Sequence, residues 1–262
     1  MPRFPSVSVH LLPSLIPEHA LRGGVAIVVD VLRATTAMVH ALAAGCEAIL
    51  PCREVDEARR VAVGLPQGTA LLGGERQGLP IEGFDLGNSP QSYTSDVCRG
   101  KTLVMTTTNG TLAVLASLEA ERVLVAAFAN LAATLAVVRA ETRPIHVVCA
   151  GTDGQVSLED TLLAGAIVAG LPTASSVTND AGLIALAAWR RAESRIAGES
   201  LSLADVLAEG RGGRRVREIG LAPDVLVAAV VDRFPFPAEL RRDPLRIVSG
   251  DSRAERRHSS DG

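Results

Sequence analysis

The sequence predicts an α/β fold: a mainly parallel sheet covered by helices. Three observations carry this. Short apolar runs alternate with helix-length amphipathic segments from residue 25 to about residue 150, the pattern of repeated strand–helix units. Apolar residues make up 47% of the 262 residues while aromatics make up 3%, so there is material for a sizeable core, built from Ala, Val and Leu. Glycine (24) and proline (14) are frequent, as tight strand-to-helix turns require.

The elements follow in order. Val25–Asp30 reads as a strand and Ala34–Ala44 as a helix closed by Gly45. Ala48–Leu50 is a strand, Glu54–Val63 a helix and Thr69–Leu72 a strand. A polar, Gly-rich loop of about 20 residues comes next, and loops of that length inside a domain are usually functional. Then come strand Thr102–Met105, helix Thr111–Leu118, strand Arg122–Ala126, helix Leu131–Ala140 and strand Ile145–Cys149. After a second Gly-rich loop the pattern turns helical, with one later apolar run at Val225–Val231. One α/β domain is expected over residues 1–240, followed by a polar, disordered tail over 241–262.

Residues 26–58 overlie residues 101–133 without a gap, at an offset of 75, strand on strand and helix on helix. The third strands also correspond, each ending in a Gly-containing loop, "LLGGERQG" and "VVCAGTDG". The spacing raises two related β-α-β-α-β halves, over 26–78 and 101–154; few identities support it, and chance likeness between two such units stays open. Ligands of parallel sheets bind beyond the carboxyl ends of the strands. Those ends carry loops 30–36, 73–93, 105–111 and 149–160, and a site is expected where they meet.

Bulk properties narrow the function. A net charge of −3 argues against a general nucleic-acid binder. The alanine-rich stretches are broken by polar residues well short of about 18 apolar residues, so no membrane span is expected. The N-terminus lacks a charged start and a long apolar run, the four cysteines form no CxxC pair, and a cytoplasmic enzyme is expected. A homo-oligomer stays open.

The stretch "TTTNGT" (106–111) stands between a strand and a helix. Unpaired amides and the helix dipole favour an anion there. Thr106, Thr108, Asn109, Gly110 and Thr111 are the candidate substrate-binding residues, Thr106 and Thr108 sharing one face if the segment stays extended. Ordinary capping would need one Thr or Asn, and no Gly-Lys-Ser/Thr follows, which excludes a Walker A loop. In the matching loop "DVLRATT", Asp30 ends a strand, with Arg33, Thr35 and Thr36 after it. A carboxylate with an adjacent Arg suits a metal ligand beside a phosphate clamp; a structural N-cap Asp paired with Arg is the plain alternative. A haloacid-dehalogenase phosphatase would need a second Asp where Leu32 stands. The long loop supplies Glu75, Arg76, Glu82, Asp85, Asn88 and Ser89. In "CAGTDGQVSLED", Ser157 and Asp160 have capping-box spacing, and Glu159 and Asp160 are metal-ligand candidates. A tyrosine-phosphatase loop would need Arg where Gln155 stands, so Cys149 reads as a small buried thiol. Asp30, Arg33 and Asp85 are the candidate catalytic residues; Thr35, Thr36, Arg76 and Asn88 join the substrate-binding set; Asp30, Glu159 and Asp160 are the candidate metal ligands.

The ordered set "DVLRATT", "GFDLGNSP", "TTTNGT", "CAG" and "SLED" resembles the 2-phosphosulfolactate phosphatase family over roughly residues 25 to 235. The resemblance implies a three-layer α/β/α sandwich and a Mg2+-dependent acid phosphatase. Such an enzyme converts 2-phospho-3-sulfolactate to 3-sulfolactate and phosphate, a step toward coenzyme M in methanogens. It also implies a compact polyanionic phosphoester as partner; on chemical grounds Arg33, Arg76 and the two Thr-rich loops are the candidate donors for it. A phosphatase for another small phosphoester and a non-catalytic anion-binding protein remain the alternatives.

Overall fold

The computed structural model describes residues 5–172 and 177–250. Its strands are β1 (Val7–His10), β2 (Val25–Val29), β3 (Ala48–Pro51), β4 (Ala70–Arg76), β5 (Leu79–Pro80), β6 (Thr102–Thr106), β7 (Arg122–Ala126), β8 (Ile145–Cys149), β9 (Ala238–Arg241) and β10 (Arg246–Ser249). Its helices are α1 (Ala34–Ala43), α2 (Val55–Val63), α3 (Ser95–Cys98), α4 (Gly110–Ala116), α5 (Leu131–Val138), α6 (Leu158–Gly170), α7 (Asp180–Glu199), α8 (Leu203–Glu209), α9 (Arg211–Glu218) and α10 (Ala222–Ala228). Among the described residues no helix is long and apolar enough to cross a membrane.

The strands form one sheet in the order β1-β8-β2-β7-β9-β10-β3-β6-β4-β5. Side-chain alternation divides the core between the faces of this sheet. Val25, Ile27 and Val29 of β2 join one apolar cluster, with residues of α5, α6 and α7. Ala26 and Val28 join another, with α1 and α4. In β6, Leu103 and Met105 face α1 and α4, whereas Val104 packs with Ala58 of α2. Strands buried on both faces read as continuous apolar runs, and the result is an α/β/α sandwich with α1 and α4 on the inner side.

Two parallel blocks, β1-β8-β2-β7 and β3-β6-β4, are joined by the antiparallel hairpin β9–β10. Exchanging β2, β3 and β4 with β6, β7 and β8, and β9 with β10, reproduces the order β8 to β4 read from the opposite edge. In a flat sheet the antiparallel joint would send the carboxyl ends of the two blocks to opposite edges. Five interstrand steps separate β2 from β6. In the structure the loop after β6 nonetheless lies beside the end of β2: a Cβ on Gly110 would lie 2.7 Å from Asp30 Oδ2.

The structure departs from two expectations. The boundary at residue 240 cuts through a hairpin. Arg241 ends β9, and Ile247 of β10 is wholly buried between β9 and β3, paired with Ile49. The charged residues 241–243 that suggested a tail sit in and beside the turn, and only alternate residues such as Leu240 and Ile247 face the core. Residues 251–262 lie outside the described residues. The capping box at Ser157 does not form: Ser157 Oγ bonds Thr152 Oγ1 at 2.8 Å, and Asp160 bonds elsewhere.

Candidate active site

All four strand-end loops meet at one cavity of about 620 Å³. Asp30, Leu32 and Arg33 enter it from the β2–α1 loop, and Glu75, Gln77, Gly78 and Asn88 from the segment after β4. Thr108 and Asn109 come from the β6–α4 loop, Thr152 and Asp153 from the β8–α6 loop. Helix α9 closes the remaining side.

The β2–α1 loop is tied to itself. Asp30 Oδ1 accepts the Ala34 amide at 3.0 Å. Thr35 Oγ1 donates to the Asp30 carbonyl and accepts the Asp30 amide, and Thr36 Oγ1 donates to the Val31 carbonyl. Both threonines are buried away from the cavity, so their hydroxyls shape the loop that presents Asp30. Arg33 does not pair with Asp30. It is buried against Asp224 of α10, Nη1 to Oδ2 at 2.9 Å, and donates to the Gly78 carbonyl at 2.5 Å. Ser89 Oγ donates to the other Asp224 oxygen at 2.5 Å. This buried network fixes three segments of the cavity wall to one another.

In "TTTNGT" the extended strand stops at Thr106, so the alternation expected beyond it fails. Thr106 Oγ1 donates to the Arg53 carbonyl and accepts from Arg76 Nη2 at 2.9 Å. Thr107 and Thr111 bond each other through hydroxyls and amides. Thr108 and Asn109 alone of the stretch line the cavity. Thr108 Oγ1 is buried without a partner, and Asn109, at the helix start, makes no side-chain cap bond. Gly110 is required by packing, since a Cβ there would stand 2.3 Å from Ala34 Cβ.

The long loop divides likewise. Glu75, a buried carboxylate, accepts the Gly78 amide at 2.7 Å and the Thr108 amide at 2.7 Å, bracing two cavity loops. Asn88 is buried in the wall with Oδ1 unpartnered. Arg76 and Asp85 stay out of the cavity: Arg76 holds the Glu75 and Arg53 carbonyls and Thr106, and Asp85 accepts the Leu72 amide at 2.8 Å.

Two more carboxylates lie behind Asp30. Asp160 accepts the Val31 amide (2.8 Å) and the Gly151 amide (2.9 Å), clamping the β2 and β8 loops together. Glu159 is buried with Oε2 unpartnered. Burial raises the Asp30 carboxyl to about 7, the Ala34 amide opposing and the charges of Glu75 and Glu159 adding. Burial raises Glu159 to about 6, and burial with the charges of Asp30 and Glu159 raises Asp160 well above the usual carboxylate range. Among the described residues no three His, Cys, Asp or Glu side chains come together as a ready metal-binding set. Mg2+ takes one or two carboxylates with waters and phosphate oxygens. Asp30, at the cavity surface, and the unpartnered Glu159 oxygen have the donor chemistry for that role. Cys149 is a buried thiol, raised by burial and by Asp160.

Sequence reasoning missed α9. It lines the cavity with Arg211, Arg214, Arg215 and Glu218, and pairs Arg211 with Asp153 at 3.3 Å. The signal was "GRGG" (210–213). A Cβ on Gly212 would stand 1.8 Å from Glu159 Oε1, and one on Gly210 would stand 2.6 Å from Oε2. Glycine at these positions lets α9 settle over Glu159.

Known proteins are similar in sequence to most of this chain. A protein of Symbiobacterium thermophilum named probable 2-phosphosulfolactate phosphatase is 39% identical over 215 residues, 81% of this chain and 89% of its own. One of the same name from Caldanaerobacter subterraneus is 33% identical over 232 residues, 88% of this chain and 93% of its own. A third, from Gloeobacter violaceus, is 37% identical over 227 residues, covering 86% and 91%. The profile of the 2-phosphosulpholactate phosphatase family matches residues 10–242, from the end of β1 to the turn after β9 and across every cavity loop, and the chain belongs to that family.

Proposed function

We propose that this protein is a Mg2+-dependent phosphatase that hydrolyses 2-phospho-3-sulfolactate to 3-sulfolactate and phosphate. One observation supports the reading beyond the family relationship: the buried acids Asp30 and Glu75 line the same cavity as several arginines. A polyanion does not approach Asp30 and Glu75 without a cation between them, and carboxylates with water supply the hard oxygen ligands Mg2+ prefers. Asp30 and Glu159 would hold the ion; Asp160, whose oxygens already accept amides, would reach it only through its remaining lone pairs. When bound, Mg2+ polarises a phosphoryl oxygen and lowers the pKa of a bound water.

The chain's own residues orient the ester. Thr108 Oγ1 and the Asn109 amide offer neutral donors where the phosphate would lie. Glu75 keeps Thr108 in place, and the Arg33–Asp224 pair keeps the Asp30 loop against α10. Four unpaired cysteines, all buried, suit a cytoplasmic location. A phosphatase for another small anionic phosphoester would use the same loops. The test is phosphate release from 2-phosphosulfolactate by purified protein, with Mg2+ and with a chelator. Turnover only with Mg2+ is expected; no release with the metal present refutes the substrate, and equal release with chelator refutes the metal.

A further inference from the structure

The cations of the cavity are unevenly matched. Arg33 is neutralised by Asp224 and Arg211 faces Asp153. Arg214 and Arg215 have no carboxylate within ion-pair distance among the described residues; Arg214 donates to the Glu209 carbonyl and Arg215 to the Gln77 carbonyl (3.2 Å). Both are exposed side chains on the cavity wall. Positions 211, 215 and 218 fall on one helical face at four- and three-residue spacing, and this face looks into the cavity, whereas Arg217 does not line it. Positive charge from Arg214, which also acts on the Glu159 carboxylate, and from Arg215 therefore lines the same cavity as Asp30 and Glu75.

We propose that Arg214 and Arg215 are specificity residues. They bind the non-reacting acid groups, carboxylate or sulfonate, of a substrate that carries a second anion besides its phosphate. A guanidinium presents paired N–H donors to such oxyanions. The phosphate end is turned to Asp30, Thr108 and Asn109, and the other acid groups to α9. This rests on the phosphatase reading and adds which end of the substrate meets which wall.

Binding is measured by calorimetry with three probes: 3-sulfolactate, lactate (which lacks the sulfonate) and inorganic phosphate. Loss of one charge-assisted contact at this exposed wall corresponds to about tenfold in affinity. Arg215→Ala and Arg214→Ala should each weaken 3-sulfolactate about tenfold and phosphate less than about threefold, with Arg217→Ala changing neither. A loss for lactate as large as for 3-sulfolactate assigns the carboxylate to the arginines; a smaller one assigns the sulfonate. Unchanged 3-sulfolactate affinity, or equal weakening of phosphate, overturns the proposal, as does a wild-type protein that binds no 3-sulfolactate. Turnover separates the two readings. Normal hydrolysis of 2-phosphosulfolactate with unaffected arginine variants removes the specificity role alone. Selective loss of 3-sulfolactate binding in a protein that releases no phosphate removes the activity alone.

Discussion

At the scale of single residues, Asp30 and Asn109 separate chemistry from architecture. Asp30→Asn keeps the oxygen that accepts the Ala34 amide and removes a buried charge crowded by Glu75 and Glu159. The thermal midpoint should therefore hold or rise. Mg2+-dependent turnover should fall by on the order of a hundredfold or more, because a lost metal contact is worth several kcal/mol of barrier. Near-normal kcat at saturating Mg2+ would take Asp30 out of the site. Asn109 begins α4 but makes no side-chain cap bond. Asn109→Ala should then cost well under the ~1 kcal/mol of a true cap while lowering kcat/KM at least about tenfold. Lost stability with unchanged kinetics would make it only a cap. The reading of "TTTNGT" from sequence foresaw a polar loop at the site, but not how its groups divide. Thr106, Thr107 and Thr111 satisfy backbone groups and one another, and only Thr108 and Asn109 look into the cavity. Hydroxyls that brace a loop and hydroxyls that bind a ligand look alike in a sequence.

At the scale of elements, α10 is held to the β2–α1 loop by a buried ion pair. Removing one partner of such a pair costs about 3–5 kcal/mol, whereas replacing both by apolar groups is often near neutral. Asp224→Ala should lower unfolding free energy by about that amount, and Arg33→Met combined with Asp224→Leu should recover most of it; denaturant titration of the variants measures both. Equal stability of Asp224→Ala and wild type would mean that the pair is not a structural link. Strand β1 carries a second buried contact. His10 Nε2 lies 3.3 Å from His146 Nδ1 on β8, with the rings stacked. Burial, and then the neighbouring His146, lower His10 to about 4; burial lowers His146 as well. The folded state keeps His10 neutral, and the unfolded chain takes up its proton near pH 6.5. Stability from this site is therefore full above pH 6.5, lost as pH falls toward 4, and constant below that. His10→Gln should remove this dependence, so that the wild-type-minus-variant stability falls as pH drops from 6.5 to 4; a pH-independent difference across that window would refute the account. The helices and strands from residue 25 to 149, apart from the short β5 and α3 within the long loop, were legible because each has its own apolar period. β1 and the partner of Arg33 were not, because four residues make too short a period and Asp224 lies 191 positions away.

At the scale of the whole molecule, the sheet depends on a strand that the sequence does not advertise. A chain of parallel βα units needs no late hairpin, and "LRRDPLRIVS" is dominated by charge. In the structure that hairpin joins two parallel blocks whose chain segments interleave: β2 lies between β7 and β8, and β6 between β3 and β4. The joint is narrow. β10 meets β3 through Ile247 and Ile49, and β9 meets β7 through Leu124 with Glu239 and Val125 with Ala238. Its inner face is apolar, with Ala238, Leu240 and Ile247 buried in the cluster that also holds α1 and α4. Every residue lining the cavity at Asp30 precedes position 240, so a chain ending at Leu240 would keep the complete set of candidate site residues. It would lose β10, expose the edges of β3 and β9, and uncouple the block that carries Asp30 from the block that carries Thr108 and Asn109. We expect such a chain to show no cooperative thermal transition and no phosphate release. A chain ending at Gly250 is the control that separates loss of the strand from loss of the residues after it. A cooperative transition near the full-length midpoint in the shorter chain would show that the two blocks hold together without the hairpin, through α1 and α4 alone.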